Sequence, residues 1–178
     1  MNMKGGMRTG MRVWLAGAAV SMMMAGGVAM AQEGTQAAGA ATADALAAAQ
    51  QVDGLMTVKS KYSATDSVKR VQDALLAKGL TVFTVIDHQK AAQQQSLEMP
   101  AASVIIFGNP AMGTPMMVKS PTLAIDLPSK VLIWEDGKGN VYASLNTAEY
   151  LSRRHQVPAE VVAPLAGAEK LVPAVLTK

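Results

Sequence analysis

Two short runs, TVFTVID at residues 81–87 and ASVIIF at residues 102–107, are apolar or β-branched on both of the faces a strand would present. A strand with one wet face alternates apolar and polar residues, whereas a run without that alternation needs cover on both sides. Both runs therefore predict interior strands and require a fold built round a sheet. KVLIWE (130–135) and VYASL (141–145) flank Asp136-Gly137-Lys138-Gly139-Asn140, a turn signal that predicts an antiparallel hairpin. Residues 55–62 read as a further strand, with Met56 and Val58 alternating with Thr57 and Lys59.

The helical signals lie between and after these strands. Ser63-x-x-Asp66 is a capping pattern ahead of Val68, Val71, Leu75 and Leu76 at helical spacing, with Lys78 in the last turn and Gly79 suited to a left-handed close. Residues 88–96, rich in Gln and Ala, read as a short helix or an irregular connection. Thr114 followed by Pro115 reads as an N-cap with proline at the first helical position, which predicts a short helix over 116–120 ended by Pro121. Asn146-x-x-Glu149 predicts a capped helix reaching His155, and Pro164, Gly167 and Pro173 predict that the tail breaks into two short helical pieces. The order is β-α-β-(α)-β-(α)-β-β-α-α, an α+β sandwich of about five strands with helices packed on one face. An open sheet leaves edges to cover or pair, and a homodimer is one way to do so.

The amino terminus carries a different signal. Lys4, Arg8 and Arg12 precede an apolar run over 13–31 that closes on Ala29-Met30-Ala31. A basic head, an apolar centre and a small-x-small site predict a secretory signal over 1–31, cleaved after Ala31, and hence a periplasmic or secreted product with no stable membrane span after cleavage. The alternative is a retained anchor, since the run could nearly span a bilayer; its Gly and Ala content and its Ala-x-Ala end favour cleavage. Residues 32–51, Ala-rich with Leu46 their one large aliphatic residue, read as a flexible leader, and 52–178 as a single α+β domain.

Removing 1–31 changes the electrostatics. The chain has 16 Lys+Arg and 13 Asp+Glu, but the three basic residues of 1–31 face no acid there, so 13 of each remain. A balanced chain lacks the positive footprint that phosphate neutralisation requires, and no nucleic-acid partner is expected. Zero cysteines exclude a disulfide scaffold, thiolate metal sites and a cysteine nucleophile.

From Leu55 onward the chain resembles the family called domain of unknown function 302. The residues that carry the resemblance are VKSKYSATDSV, KGLTVFTVIDH, IFGNPAMGTPMM, AIDLPSKVLIWEDGKGNV and EYLSRRH. The Phe-Gly-Asn-Pro-x-x-Gly-Thr-Pro block and the Asp-Leu-Pro before the hairpin are the most specific. The resemblance implies a β-α-β(4)-α arrangement like that of the TATA-box-binding-protein-like fold. It implies no activity, and the fold analogy brings no DNA binding with it.

Several groups bear on chemistry. The stretch Gly108-Asn109-Pro110-Ala111-Met112-Gly113-Thr114, before a helix starting at Pro115, would aim free N–H groups into a loop able to cradle a small anion; the competing reading is a strand-to-helix corner. It has neither the lysine of a phosphate-binding loop nor dinucleotide spacing. Gly108, Asn109, Gly113, Thr114 and Asp126 are the ligand-binding candidates, the last from the Asp126-Leu127-Pro128 turn. Asp87, His88 and Glu98 form an alternative acid–base set, against a capping Asp and a solvent-facing His. His155, after Arg153-Arg154, fits a helix C-terminus, where cations are favoured. Two distant histidines show no short metal-ligand spacing, and Met112, Met116 and Met117 fit packing under a loop better than copper ligation. Trp134, Phe107, Phe83 and Tyr142 are expected to pack in the core or on the sheet.

These readings combine into an exported, non-catalytic small-ligand-binding or interaction module with no cofactor and no metal site. An acid–base enzyme using Asp87, His88 and Glu98 and a structural homodimer are the alternatives.

Overall fold

The computed structural model describes residues 52–178; the expected signal (1–31) and leader (32–51) lie outside the described residues. Five strands form one sheet: β1 (Leu55–Lys59), β2 (Thr81–Asp87), β3 (Ala102–Gly108), β4 (Ser129–Glu135) and β5 (Val141–Asn146). Their order across the sheet is β1-β5-β4-β3-β2, and every neighbouring pair is antiparallel. The helices are α1 (Ala64–Ala77), α2 (His88–Gln93), α3 (Pro110–Lys119), α4 (Ala148–His155), α5 (Ala159–Val162) and α6 (Ala166–Leu176), with short 3-10 turns at Pro121–Ile125 and Ala163–Leu165. With α2 and α3 taken as connections, the order is the β-α-β(4)-α that the resemblance implies. The fold is α+β, with helices packed on one face of the sheet.

Local signals explain the firm elements. Ser63 Oγ accepts the Asp66 N–H at 3.1 Å and donates to the Asp66 carboxylate at 2.9 Å, which opens α1. Gly79, at φ +72°, closes it in the left-handed region. Val71 and Leu75 then meet Ala168, Val172 and Leu176 of α6 over Ile105, Val131, Ile133 and Ala143 of the sheet. A second apolar cluster, Met116, Leu123, Ala148, Leu151 and Val162, joins α3, the first 3-10 turn, α4 and α5. On the other face Trp134 stacks on Tyr142 with ring centroids 4.9 Å apart, and its Nε1–H donates to Ser144 Oγ at 2.9 Å. Tyr142 is buried, and that burial, with the Asp136 charge behind it, pushes its phenol above the ordinary value.

Four expectations need correction. The run TVFTVID is an edge strand, not an interior one: β2 pairs with β3 alone, and the pairing slips between Val82 and Thr84, leaving Phe83 in a bulge. Bulges gather at sheet edges and re-aim side chains there. The helix expected from Pro115 starts at Pro110 instead, because Asn109 accepts the Ala111 N–H at 2.9 Å and Pro110 occupies the first turn, so Pro115 falls inside α3. Helix α4 is capped by Thr147, whose hydroxyl accepts the Tyr150 N–H at 3.2 Å, rather than by Asn146. The tail does fall into two helical pieces, α5 and α6, parted at Pro164, but α6 runs through both Gly167 and Pro173, held by Ala168, Val172 and Leu176, which are 8%, 0% and 0% exposed. Core burial outweighs the hydrogen bond that Pro173 cannot make.

Candidate ligand-binding cleft

The bulge at Phe83 sits where β3 ends and α3 begins. Beside it opens a cleft of about 660 Å³, inside the ~300–1,000 Å³ span of small-molecule sites. Phe107 and Met116, 3% and 4% exposed, form its base, while Phe83 and Met112, 48% and 40% exposed, stand at its mouth. Leu127 and Pro128, joined by a cis peptide bond, make one wall and α6 makes another through Gly167, Ala168 and Leu171. Lys78 and Lys170 also line it, and among the described residues no lining residue is an Asp, a Glu or a His. The lining is mostly apolar, with Asn109, Thr114 and Ser129 as its neutral polar side chains.

Four of the five ligand-binding candidates, Gly108, Asn109, Gly113 and Thr114, line this cleft. They do so differently from the expected anion cradle. The Asn109 side chain and carbonyl take the N–H groups of Ala111, Met112 and Gly113, and Pro110 has none to offer, so the free donors such a cradle needs are already engaged. A Cβ on Gly108 would sit 3.5 Å from Phe83 and 3.6 Å from Pro128, ordinary contact, so the glycine keeps the space between these two walls open.

Asp126 does not line the cleft; it fixes the turn that does. Its Oδ2 lies 2.6 Å from His155 Nε2 and 3.2 Å from Arg154 Nε. His155 Nδ1 lies 2.9 Å from Thr122 Oγ1, so both ring nitrogens are engaged and the side chain is only 4% exposed. His155 closes α4 as expected, and from there its side chain forms a buried clasp with the Pro121–Ile125 turn and Asp126. Arg154 Nη1 donates to the Tyr150 hydroxyl at 2.9 Å; that bond and the Asp126 charge hold the guanidinium above its ordinary value.

The acid–base set is not assembled. Asp87 caps α2 by accepting the Lys90 N–H at 2.9 Å, and among the described residues no hydrogen bond links Asp87, His88 and Glu98. All three are exposed, and none lines the cleft. Of the methionines, Met116 packs in the second apolar cluster, while Met112 and Met117 face the cleft beside it. Phe107 and Tyr142 are buried as expected. Phe83 is not, because the bulge turns it to the cleft mouth, and a bulge on an edge strand leaves no mark in an unbroken β-branched run. Nor did the sequence mark Lys170, and it marked Lys78 only as a residue of the last turn of α1.

A family model described as "Domain of unknown function DUF302" matches residues 56–173. Among curated proteins, "Fluoride-specific ion channel FluC 1" of Brucella suis biovar 1 (strain 1330) is 39% identical over 104 residues, which cover 58% of this chain and 41% of that protein. "Fluoride-specific ion channel FluC 2" of Brucella melitensis biotype 1 is likewise 39% identical over 104 residues, 58% of this chain and 38% of that one. The matched stretch is thus about two fifths of the length of these relatives. Among solved structures, the crystal structure of an uncharacterized conserved protein DUF302 from Bacillus stearothermophilus superposes with a TM-score of 0.61 at 17% identity, covering 71% of this chain and 98% of that chain. At that identity the likeness is one of fold.

Proposed function

Since this chain belongs to the DUF302 family, whose description assigns no activity, we propose a function from the cleft itself: reversible, non-catalytic binding of a small, mainly apolar ligand by an exported protein. The carrying observation is the convergence of the Phe83 bulge, the Leu127–Pro128 turn, α3 and α6 on one apolar hollow. A non-catalytic role is supported by the wall chemistry. Two hydroxyls, Thr114 and Ser129, face the cleft with no histidine or carboxylate among the described residues of its wall to activate them. Export rests on the pattern Lys4 to Ala31 alone, and N-terminal sequencing of the native product tests it. Channel activity does not follow from the relatives' names, because the match spans only about two fifths of their length.

Methionine methyl NMR on the full chain reads the site directly. Small apolar probes such as octanol are expected to shift the Met112, Met116 and Met117 methyl signals and to leave Met56 and Met99, which do not line the cleft, in place. Gly113→Leu, which builds a side chain from the cleft wall where a Cβ meets only Met117 at 3.9 Å, should suppress the shifts. Unmoved signals across a broad panel of apolar probes would leave the cleft as a packing defect.

A further inference from the structure

Two lysines border this hollow, from two elements. Lys78 follows the end of α1 and Lys170 lies on α6, the two helices that pack together through Val71, Leu75 and Val172. Both are exposed lining residues, and among the described residues neither forms an ion pair with a side chain. The carboxylate next in sequence, Glu169, is occupied elsewhere, accepting the Ala148 N–H at 2.7 Å. Among the described residues, the cleft therefore pairs an apolar base with a border whose charged side chains, Lys78 and Lys170, are both positive. Lysine suits such a border, since its methylene stem extends apolar surface while its ammonium stays in water.

We propose that the ligand is an amphipathic anion, an aliphatic chain ending in a carboxylate, with the chain against Phe107 and Met116 and the head group between Lys78 and Lys170. This rests on the cleft being a ligand site and adds the class of ligand. Charge complementarity separates it from a purely apolar occupant: an alcohol of equal length gains the same burial without the ion pairs, and an alkylammonium meets like charge.

The test titrates the methyl-labelled full chain with octanoate, octanol and octylammonium at low salt, following Met112, Met116 and Met117. Octanoate is expected to bind about 3- to 10-fold more tightly than octanol, the range two exposed lysine–carboxylate pairs supply, and octylammonium most weakly. Lys78→Gln with Lys170→Gln should bring the ratio of octanoate to octanol affinity down to about one; both positions are exposed, so folding should persist. Equal affinity for octanoate and octanol, tighter binding of octylammonium, or an octanoate affinity untouched by the double substitution would overturn the anion assignment while the cleft reading stands. Cleft methyl signals that respond to none of the three probes would overturn both.

Discussion

Replacing His155 with alanine tests whether the clasp holds the cleft wall. The side chain is 4% exposed and contacts Asp126 Oδ2 at 2.6 Å and Thr122 Oγ1 at 2.9 Å. The bond to Thr122 is of the kind that contributes about 0.5–1.5 kcal/mol, and the bond to the carboxylate of Asp126 about 1.5–3 kcal/mol. Asp126, 13% exposed, keeps Arg154 at 3.2 Å, so removal of the imidazole does not orphan the carboxylate. The expected loss is therefore about 2–4 kcal/mol, below that of a buried charge stripped of all partners. For a domain of this size that corresponds to a fall in Tm of roughly 10 °C. Urea denaturation of wild type, His155→Ala, Asp126→Ala and the double variant gives the coupling, which should be about 1–2 kcal/mol for residues in direct contact. A coupling below about 0.5 kcal/mol would show that the two groups share a location without sharing energy, and the clasp would lose its role in placing Leu127 and Pro128.

The remaining predictions concern the hairpin and two glycines. Asp136 is 6% exposed; burial pushes its carboxyl up, but N–H donation from the Asn140 side chain, the Asn140 and Lys138 backbones and the Lys138 charge together outweigh this, so it lies below the ordinary value. A depressed carboxylate stabilises the fold above its unfolded value of about 3.9 and loses that contribution as pH falls through the folded value, so the Tm advantage of wild type over Asp136→Asn should shrink below about pH 4. Gly54, at φ +76°, has Tyr150 where a Cβ would stand, so Gly54→Ala should lower Tm sharply. Gly113→Ala meets nothing closer than 3.9 Å inside α3 and should raise stability by about 0.5–1 kcal/mol in the same denaturation assay.

Much of the fold was legible because several signals required only local physics. Ser63 and Asp66 open α1 and Gly79 closes it through contacts within a few residues, and the Asp136–Asn140 turn satisfies its own backbone. Periodicity was less informative where cover comes from far along the chain. The residues of β2 are apolar on both faces, yet Phe83 and Ile86 are 48% and 42% exposed, because an apolar face can line a cleft or an open sheet as well as a core. Two proline pairs competed to start α3. Asn109-Pro110 and Thr114-Pro115 are equally good local signals, and the end of β3 at Gly108 decides for the first. Gly108, Asn109, Gly113 and Thr114 line the cleft, but the later helix start on which their anion cradle depended is not the one α3 uses. His155 does end α4 as expected, but its clasp was not legible, because its partners, Thr122 and Asp126, lie 33 and 29 residues away.

The position of the cleft follows from how this chain divides its apolar residues. Helices α1 and α6 cover the sheet through one cluster centred on Leu75, Ile105 and Val172. Helix α3 belongs to another, in which Met116 packs with Leu123, Leu151 and Val162 of the 3-10 turn, α4 and α5. Because α3 is anchored to those segments, the end of β3 and the bulge of β2 are not closed by a helix lying flat on them. The hollow runs along the seam, with Phe107 and Ala168 from the first cluster on one side and Met116 and Leu165 from around the second on the other. A seam between two separately packed clusters can open slightly without disrupting either, whereas a gap inside one close-packed core would be felt by all its neighbours. A ligand that fills it joins the clusters and raises stability by mass action, so an authentic ligand should raise Tm with concentration, and the rise should vanish in Gly113→Leu.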